Sequence, residues 1–327
     1  MSAEPDPQQL TADTERWFEA HGLPWFVDGN RARVRAALRW PRVLPWVTAA
    51  VLLATAAGVL LGRSQDVSSG LAAALTTLLI SAGLYAVARL HGLAVLRWAA
   101  RRTLGSLGLL FPLAARALPL LLLFMTFLFI NTEVWQVASS LGGGVMWAAT
   151  MIFAAMGLGF LLARLPEELD VFDEQLTRDR LLRACAGTPL GEAVQDVTLS
   201  DEDVERHSDV VGLERANLVL VLLVAQAIQV LLLSVAVWVF FIVFGAVAID
   251  DHVIRSWTEH DPHYLWQHVV SRELIRVATF LAAFAGLYFT VYAVTDESYR
   301  KQFFTATTRE LERAVSVRLV YRRMRGD

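Results

Sequence analysis

Apolar positions along this chain gather into long runs, not into the alternation of a strand or the one-sided stripe of a soluble helix. Runs at 43–62, 71–88, 117–132, 145–163, 218–249 and 274–294 hold no Asp, Glu, Lys or Arg apart from Arg276 just inside the last. A hydrocarbon core about 30 Å thick takes roughly 20 helical residues at about 1.5 Å rise each, so every run is at or near the length of one crossing. The run 218–249 would reach about 48 Å as one helix, whereas two crossings need roughly 40 residues plus a turn; it counts once, tilted or protruding. The pattern predicts an all-α fold: a polytopic membrane helix bundle with about six transmembrane helices and cytoplasmic amphipathic helices.

Five segments follow from it. Residues 1–42 form an amphipathic amino-terminal segment and 43–163 the first four spans. An acidic helical connection occupies 164–216, and 217–294 holds two more spans around an external loop at 250–273. A basic amphipathic tail covers 295–327. Composition agrees, with 55% hydrophobic and 19% charged residues in 327, richer in apolar side chains than an average soluble domain.

Basic residues set the orientation, because cytoplasmic segments retain Lys and Arg during insertion. Arg16, Arg31, Arg33, Arg35, Arg39 and Arg42 precede the first span, and Arg89, Arg97, Arg101, Arg102 and Arg116 lie in the second connection. Six more arginines lie in 164–216 and eight basic residues in the tail, against Arg63, Arg255 and Arg272 on the other side. Both termini are expected in the cytoplasm of a plasma-membrane protein. Trp46, Trp135, Trp147, Trp257 and Trp266 fall near span ends, where amphipathic rings prefer the headgroup layer. No early apolar run precedes the first span, so no cleavable signal peptide is expected. The segment 164–216 carries 14 carboxylates against six arginines, which excludes nucleic acid as its partner.

The shorter elements are read from their punctuation. Thr11 to His21 predicts an amphipathic helix stopped by Gly22, with Pro24 beyond. Asn30 is read as the cap of a second helix on which Arg31, Arg35 and Arg39 form a basic stripe, a candidate contact for anionic lipid headgroups. Arg89 to Arg116 predicts an interfacial helix. Pro166 is read as the first position of a new cytoplasmic helix, and Asp261-Pro262 as the start of the helix entering the sixth span. Ser200 with Asp203 resembles a capping box. Phe304, Leu311, Val315 and Leu319 share a face of a tail helix expected at the membrane surface. Ala155, Gly159 and Ala163, and likewise Ala278, Ala282 and Gly286, make small-residue faces suited to helix contact.

Three stretches together resemble a group of uncharacterised integral membrane proteins of actinobacteria: Glu15 to Gly29 (ERWFEAHGLPWFVDG), Glu214 to Ile249 and Glu273 to Phe304. The resemblance implies a membrane setting and carries no activity or functional residue with it.

Candidate chemistry is sparse. The external loop holds His252, His260, His263 and His268 with Asp250, Asp251, Glu259 and Asp261 among them. Imidazole and carboxylate together suit zinc or another first-row divalent ion, so His260, His263, His268, Asp250 and Asp251 are candidate ligands. Against this stands a purely structural reading, in which Asp261 and Pro262 open a helix and put His263 and His268 on different faces. Asp201, Glu202, Asp203 and Glu205 lack the spacing of a calcium loop and read as a solvated helix start. Within the spans, Thr77, Ser81 and Tyr85 recur every four residues, and Gln226 and Gln229 share a face. These five are either packing contacts or a pathway lining. Lone Cys185 excludes an internal disulfide and suits a reduced thiol.

H-E-x-x-H and G-x-S-x-G are both lacking, and Lys301, the sole lysine, is not preceded by glycine, so no G-K-[ST] phosphate loop exists. No cofactor is implied. The expected function is a non-enzymatic membrane scaffold or regulator, binding anionic lipid and a protein partner through 166–212 and 300–327. A passive channel or facilitator is the alternative, and a metal-dependent enzyme at the external face a second one.

Overall fold

The computed structural model describes residues 7–64, 67–105, 121–173, 183–191, 210–266, 269–295 and 312–325. Five of its helices are long and apolar enough to cross a bilayer: α3 (Trp40–Ser64), α4 (Val67–Arg89), α8 (Gly143–Asp173), α9 (Gly212–Ala248) and α11 (Arg272–Thr295). Shorter helices complete the chain: α1 (Pro7–Ala20), α2 (Asp28–Ala37), α5 (Gly92–Gly105), α6 (Leu121–Phe129), α7 (Thr132–Ser140), α10 (Asp251–Thr258) and α12 (312–325). The only strands among the described residues, β1 (Tyr264–Trp266) and β2 (Val270–Ser271), pair as a small antiparallel hairpin.

Around α11 the bundle is tightest: half of its most apolar stretch is buried, against 6% for α4. It packs on α8, α9 and α7, while α3 and α4 pair with each other and reach the rest through α8 and α5. Leucines such as Leu52, Leu60, Leu79 and Leu84 therefore point outward from the α3–α4 hairpin. In a bilayer such side chains face hydrocarbon, which is why a helix can be apolar all round without a protein core on every side.

The chain ends lie together. Phe18 of α1, Val95 of α5, Leu222 of α9 and Val315 and Leu319 of α12 belong to one buried cluster at this terminal end. A second cluster, with Phe129, Trp135, Phe241, Ile254 and Leu274, fills the far end. Helix α5 contributes Val95 to the terminal cluster, and α7 contributes Trp135 to the far one. Leu121, Met125 and Phe129 of α6 belong to the far cluster as well.

Several expectations change. The run 117–132 is not one straight span, since α6 and α7 meet at a 76° bend. Asn131 makes the bend by capping α7, its side chain accepting the Val134 amide at 3.1 Å, and the Trp135 indole donates back to the Phe129 carbonyl at 2.6 Å. Pro166 lies inside the continuous helix α8 and does not open a new one. Asn30 is not a cap: α2 begins at Asp28, and the Asn30 amide donates to Glu19 at 2.8 Å. Asp261-Pro262 opens no helix, because residues 261–263 are irregular and α11 starts only at Arg272.

Nor does the tail helix lie on a surface. Residues 314–321 of α12 are buried without interruption, so this helix is enclosed on every side. Phe304 and Leu311 lie outside the described residues, as do Arg116, Ser200, Asp203 and the acidic group from Asp201 to Glu205. Of the small-residue faces, Ala278, Ala282 and Gly286 are buried, whereas Ala155, Gly159 and Ala163 point outward and Gly157 makes the contact instead, near Thr290. The helix ended by Gly22 stands as expected, with a left-handed φ of +75° at the glycine.

Candidate functional site

Two polar constructions stand at opposite ends of the bundle. At the terminal end, α9 runs as one helix of 37 residues, about 55 Å, which exceeds a hydrocarbon core of about 30 Å. Glu214, in the first turn of α9, is buried with its side chain only 3% exposed. A lone buried carboxylate is costly, and this one is surrounded by guanidinium groups. Arg318 Nε donates to its Oε2 at 2.8 Å and Arg322 Nη2 to its Oε1 at 2.9 Å, and Arg31 of α2 pairs with the same Oε1. Arg31 also pairs with Asp28, which meets Arg325 at 3.2 Å. Burial pulls Arg318 below the ordinary arginine value while Glu214 opposes the shift.

One turn further along α9, the fully buried Asn217 clasps the amino-terminal turn from both sides of its amide. Its Oδ1 accepts the Trp25 backbone amide at 2.9 Å, and its Nδ2 donates to the Gly22 carbonyl at 3.1 Å. The Trp25 indole in turn donates to the Leu90 carbonyl at the end of α4, at 2.9 Å. The Tyr321 hydroxyl reaches Glu15 at 2.7 Å, and Phe18 meets the Tyr321 ring edge-on. Both terminal segments are thus fastened to the same two turns of α9.

This places Arg31 away from the lipid stripe expected of it. Its guanidinium is taken up by Glu214 and Asp28, while Arg35 and Arg39 remain exposed.

At the far end, the loop after α10 returns over the start of α11. The Glu273 side chain, 3% exposed, accepts the His263 backbone amide at 3.1 Å through Oε2 and lies 3.1 Å from His263 Nδ1 through Oε1. The Arg272 amide donates to the His263 carbonyl at 2.8 Å, closing the loop a second time. His260 stands beside them, its ring 5.9 Å from that of His263, and donor atoms of His260, His263 and Glu273 all lie within 4.8 Å of one another.

The other candidate ligands are not brought to this group. Asp250 caps α10 by accepting the Val253 amide at 3.0 Å, Asp251 accepts the Tyr264 hydroxyl, and His268 lies outside the described residues. Burial, and then the bond to Asp251, push the Tyr264 hydroxyl up to about 12.

No family model, curated protein or solved structure matches this chain. Its function therefore rests on these arrangements alone.

The five polar residues of the spans lie on two helices, α4 and α9. Thr77 and Ser81 donate back to the carbonyls of Ala73 and Thr77 on their own helix, and Tyr85 donates to the Ala37 carbonyl at 2.7 Å. Gln226 and Gln229 lie on α9, which packs on α5, α8 and α11. A cavity of about 390 Å³ opens between α8, α9 and α11, and neither set lines it. Its walls are mainly apolar, with Thr150, Ser234, Thr279 and Thr290 as the small polar exceptions.

Sequence reasoning missed Glu214, Asn217, Arg318 and Glu273. Three of them had a visible signal. Glu214 and Asn217 sit at i and i+3 in the first two turns of the longest apolar helix, and Glu273 is the one carboxylate at the start of the sixth span. What was not visible is the partner, since Glu214 and Arg318 are 104 positions apart.

Proposed function

We propose that this is a multi-pass protein of the plasma membrane, with both termini in the cytoplasm, acting as a non-enzymatic scaffold or regulator of other membrane components. The carrying observation is the Glu214 node. Three arginines from two terminal segments converge on one carboxylate at the head of α9, so the terminal platform and the span move as one body. A buried ion-pair cluster contributes registry more readily than net stability, which suits a part whose task is to hold a surface in a fixed relation to the membrane.

The inward orientation of the terminal end rests on the excess of basic residues there and on the adjacency of the two chain ends. Arg35 and Arg39 would meet anionic headgroups, and the acidic connection within 166–212 would meet a protein partner, whereas 314–321 of the tail is taken up in the core. The resemblance to actinobacterial membrane proteins supports the setting and adds no activity. The cavity between α8, α9 and α11 is lined by none of the five polar residues that the channel alternative names, so it lends that alternative no support.

The test is copurification from gently solubilised membranes, comparing the full chain with Glu214→Ala. A reproducible partner is expected with the full chain and is lost, or much reduced, when the node is broken. Failure to recover any partner with the intact chain, or labelling of a tag at residue 327 from outside intact cells, overturns the reading.

A further inference from the structure

We propose that His260, His263 and Glu273 form a binding site for one divalent transition-metal ion of the zinc class, at the end of the bundle away from the chain termini. Zinc bonds of about 2.0–2.1 Å at near-tetrahedral angles hold neighbouring donor atoms roughly 3.3 Å apart. His263 Nδ1 and Glu273 Oε1 already stand 3.1 Å apart. An ion seated between them takes the place of the Nδ1 hydrogen, with the imidazole carrying its proton on Nε2 instead.

The supporting contacts are those a metal site needs. Glu273 Oε2 is occupied by the His263 backbone amide, which leaves Oε1 free to face the ion and fixes the carboxylate plane. His260 Nδ1 lies 3.2 Å from the Asp261 carbonyl. A proton held on that nitrogen leaves Nε2 with the lone pair a metal takes. Asp261 is kept out of the donor set by Arg255, whose Nε donates to it at 2.6 Å. The His260 ring is exposed and swings over the pair without disturbing packing, while buried Glu273 supplies the fixed anchor.

Donor chemistry selects the ion. Two imidazole nitrogens and one carboxylate oxygen suit Zn²⁺ or a similar first-row ion, whereas Ca²⁺ and Mg²⁺ prefer shells of oxygen. Three protein donors leave a fourth position open to water.

The experiment uses the full-length protein in detergent, purified without a polyhistidine tag and stripped with a chelator. Titration with ZnCl₂ by calorimetry is expected to show one equivalent bound, and Co²⁺ to give the visible absorption of a tetrahedral ion. His260→Ala and His263→Ala are each expected to weaken Zn²⁺ binding by about tenfold or more, and together to abolish the Co²⁺ bands. Glu273→Gln is expected to do the same. Because that side chain is buried, the two exposed histidines decide the outcome if the glutamine variant does not fold. Absence of stoichiometric Zn²⁺ binding in the parent protein overturns the proposal, as does binding unchanged in the double histidine variant.

Discussion

Glu214 at the head of α9 accepts a hydrogen bond from Arg318 of α12 at 2.8 Å, both side chains all but removed from solvent. Arg31 and Arg322 complete the cluster, so removing the carboxylate takes away the counter-charge that three guanidinium groups share, of which Arg31 keeps its pairing with Asp28. Breaking a buried pair from one side costs about 3–5 kcal/mol. Glu214→Ala is therefore expected to lower the unfolding midpoint sharply in detergent and to expose 312–325 to limited proteolysis. Arg39→Ala, at an exposed position, serves as control and is expected to change stability by no more than about 0.5 kcal/mol. Equal behaviour of the two variants would mean that the node does not hold the termini.

The α3–α4 hairpin depends on glycine where its helices come closest. A Cβ added at Gly70 would stand 2.5 Å from the Gly58 carbonyl oxygen and 2.9 Å from the Gly62 Cα, both backbone atoms that cannot swing aside. A Cβ at Gly144 would collide with the Ser68 backbone, which fixes α8 against the start of α4. Gly70→Ala is expected to cost about 1–3 kcal/mol through overpacking, read as a lower midpoint of thermal unfolding. Gly83→Ala on the same helix meets open space and gains helix propensity, so it is expected to be neutral or slightly stabilising.

Span positions were legible in the residues because a run such as 218–249 has one physical explanation, and all of it but Ile249 lies within a single 37-residue helix. The bend after Phe129 was not, since Asn131 capping α7 is a local signal inside an apolar run whose length pointed to one crossing. His260 and His263 were legible as a pair by proximity in the chain. Glu273 was not, because the expected helix start at Asp261-Pro262 would have carried His263 away from it. Arg31 was misplaced and Arg318 missed for one reason: periodicity tells which face a residue occupies, and says nothing about which distant element covers that face.

Cys185 provides a chemical check on the terminal core. Its thiol is buried among the residues that pack α12, and burial pushes its pKa up to about 12, with Arg313 pulling weakly the other way. Alkylation needs the thiolate, so the folded protein is expected to resist maleimide at neutral pH and to react only on unfolding. Mass spectrometry of native and denatured samples reads this directly. Rapid modification of the native protein would mean that the terminal core is open.

Tyr321 gives the same core a pH signature. Its hydroxyl donates to Glu15 at 2.7 Å and receives Arg325 Nη1 at 2.7 Å. Burial raises its pKa above the ordinary value, the bond to Glu15 adds to the rise, and the bond from Arg325 opposes it. A raised value in the folded state means that folding favours the protonated phenol. Its contribution is then fully present below the unfolded pKa of about 10 and is lost as pH climbs through the folded value. Equilibrium unfolding of the parent and of Tyr321→Phe, compared from about pH 8 to about pH 11, isolates this group because other titrations cancel in the difference. The stability advantage of the parent is expected to hold steady up to about pH 9 and to shrink above about pH 10. A difference that stays constant across that range would show that Tyr321 does not keep its proton in the folded core, and the contact with Glu15 would have to be discarded.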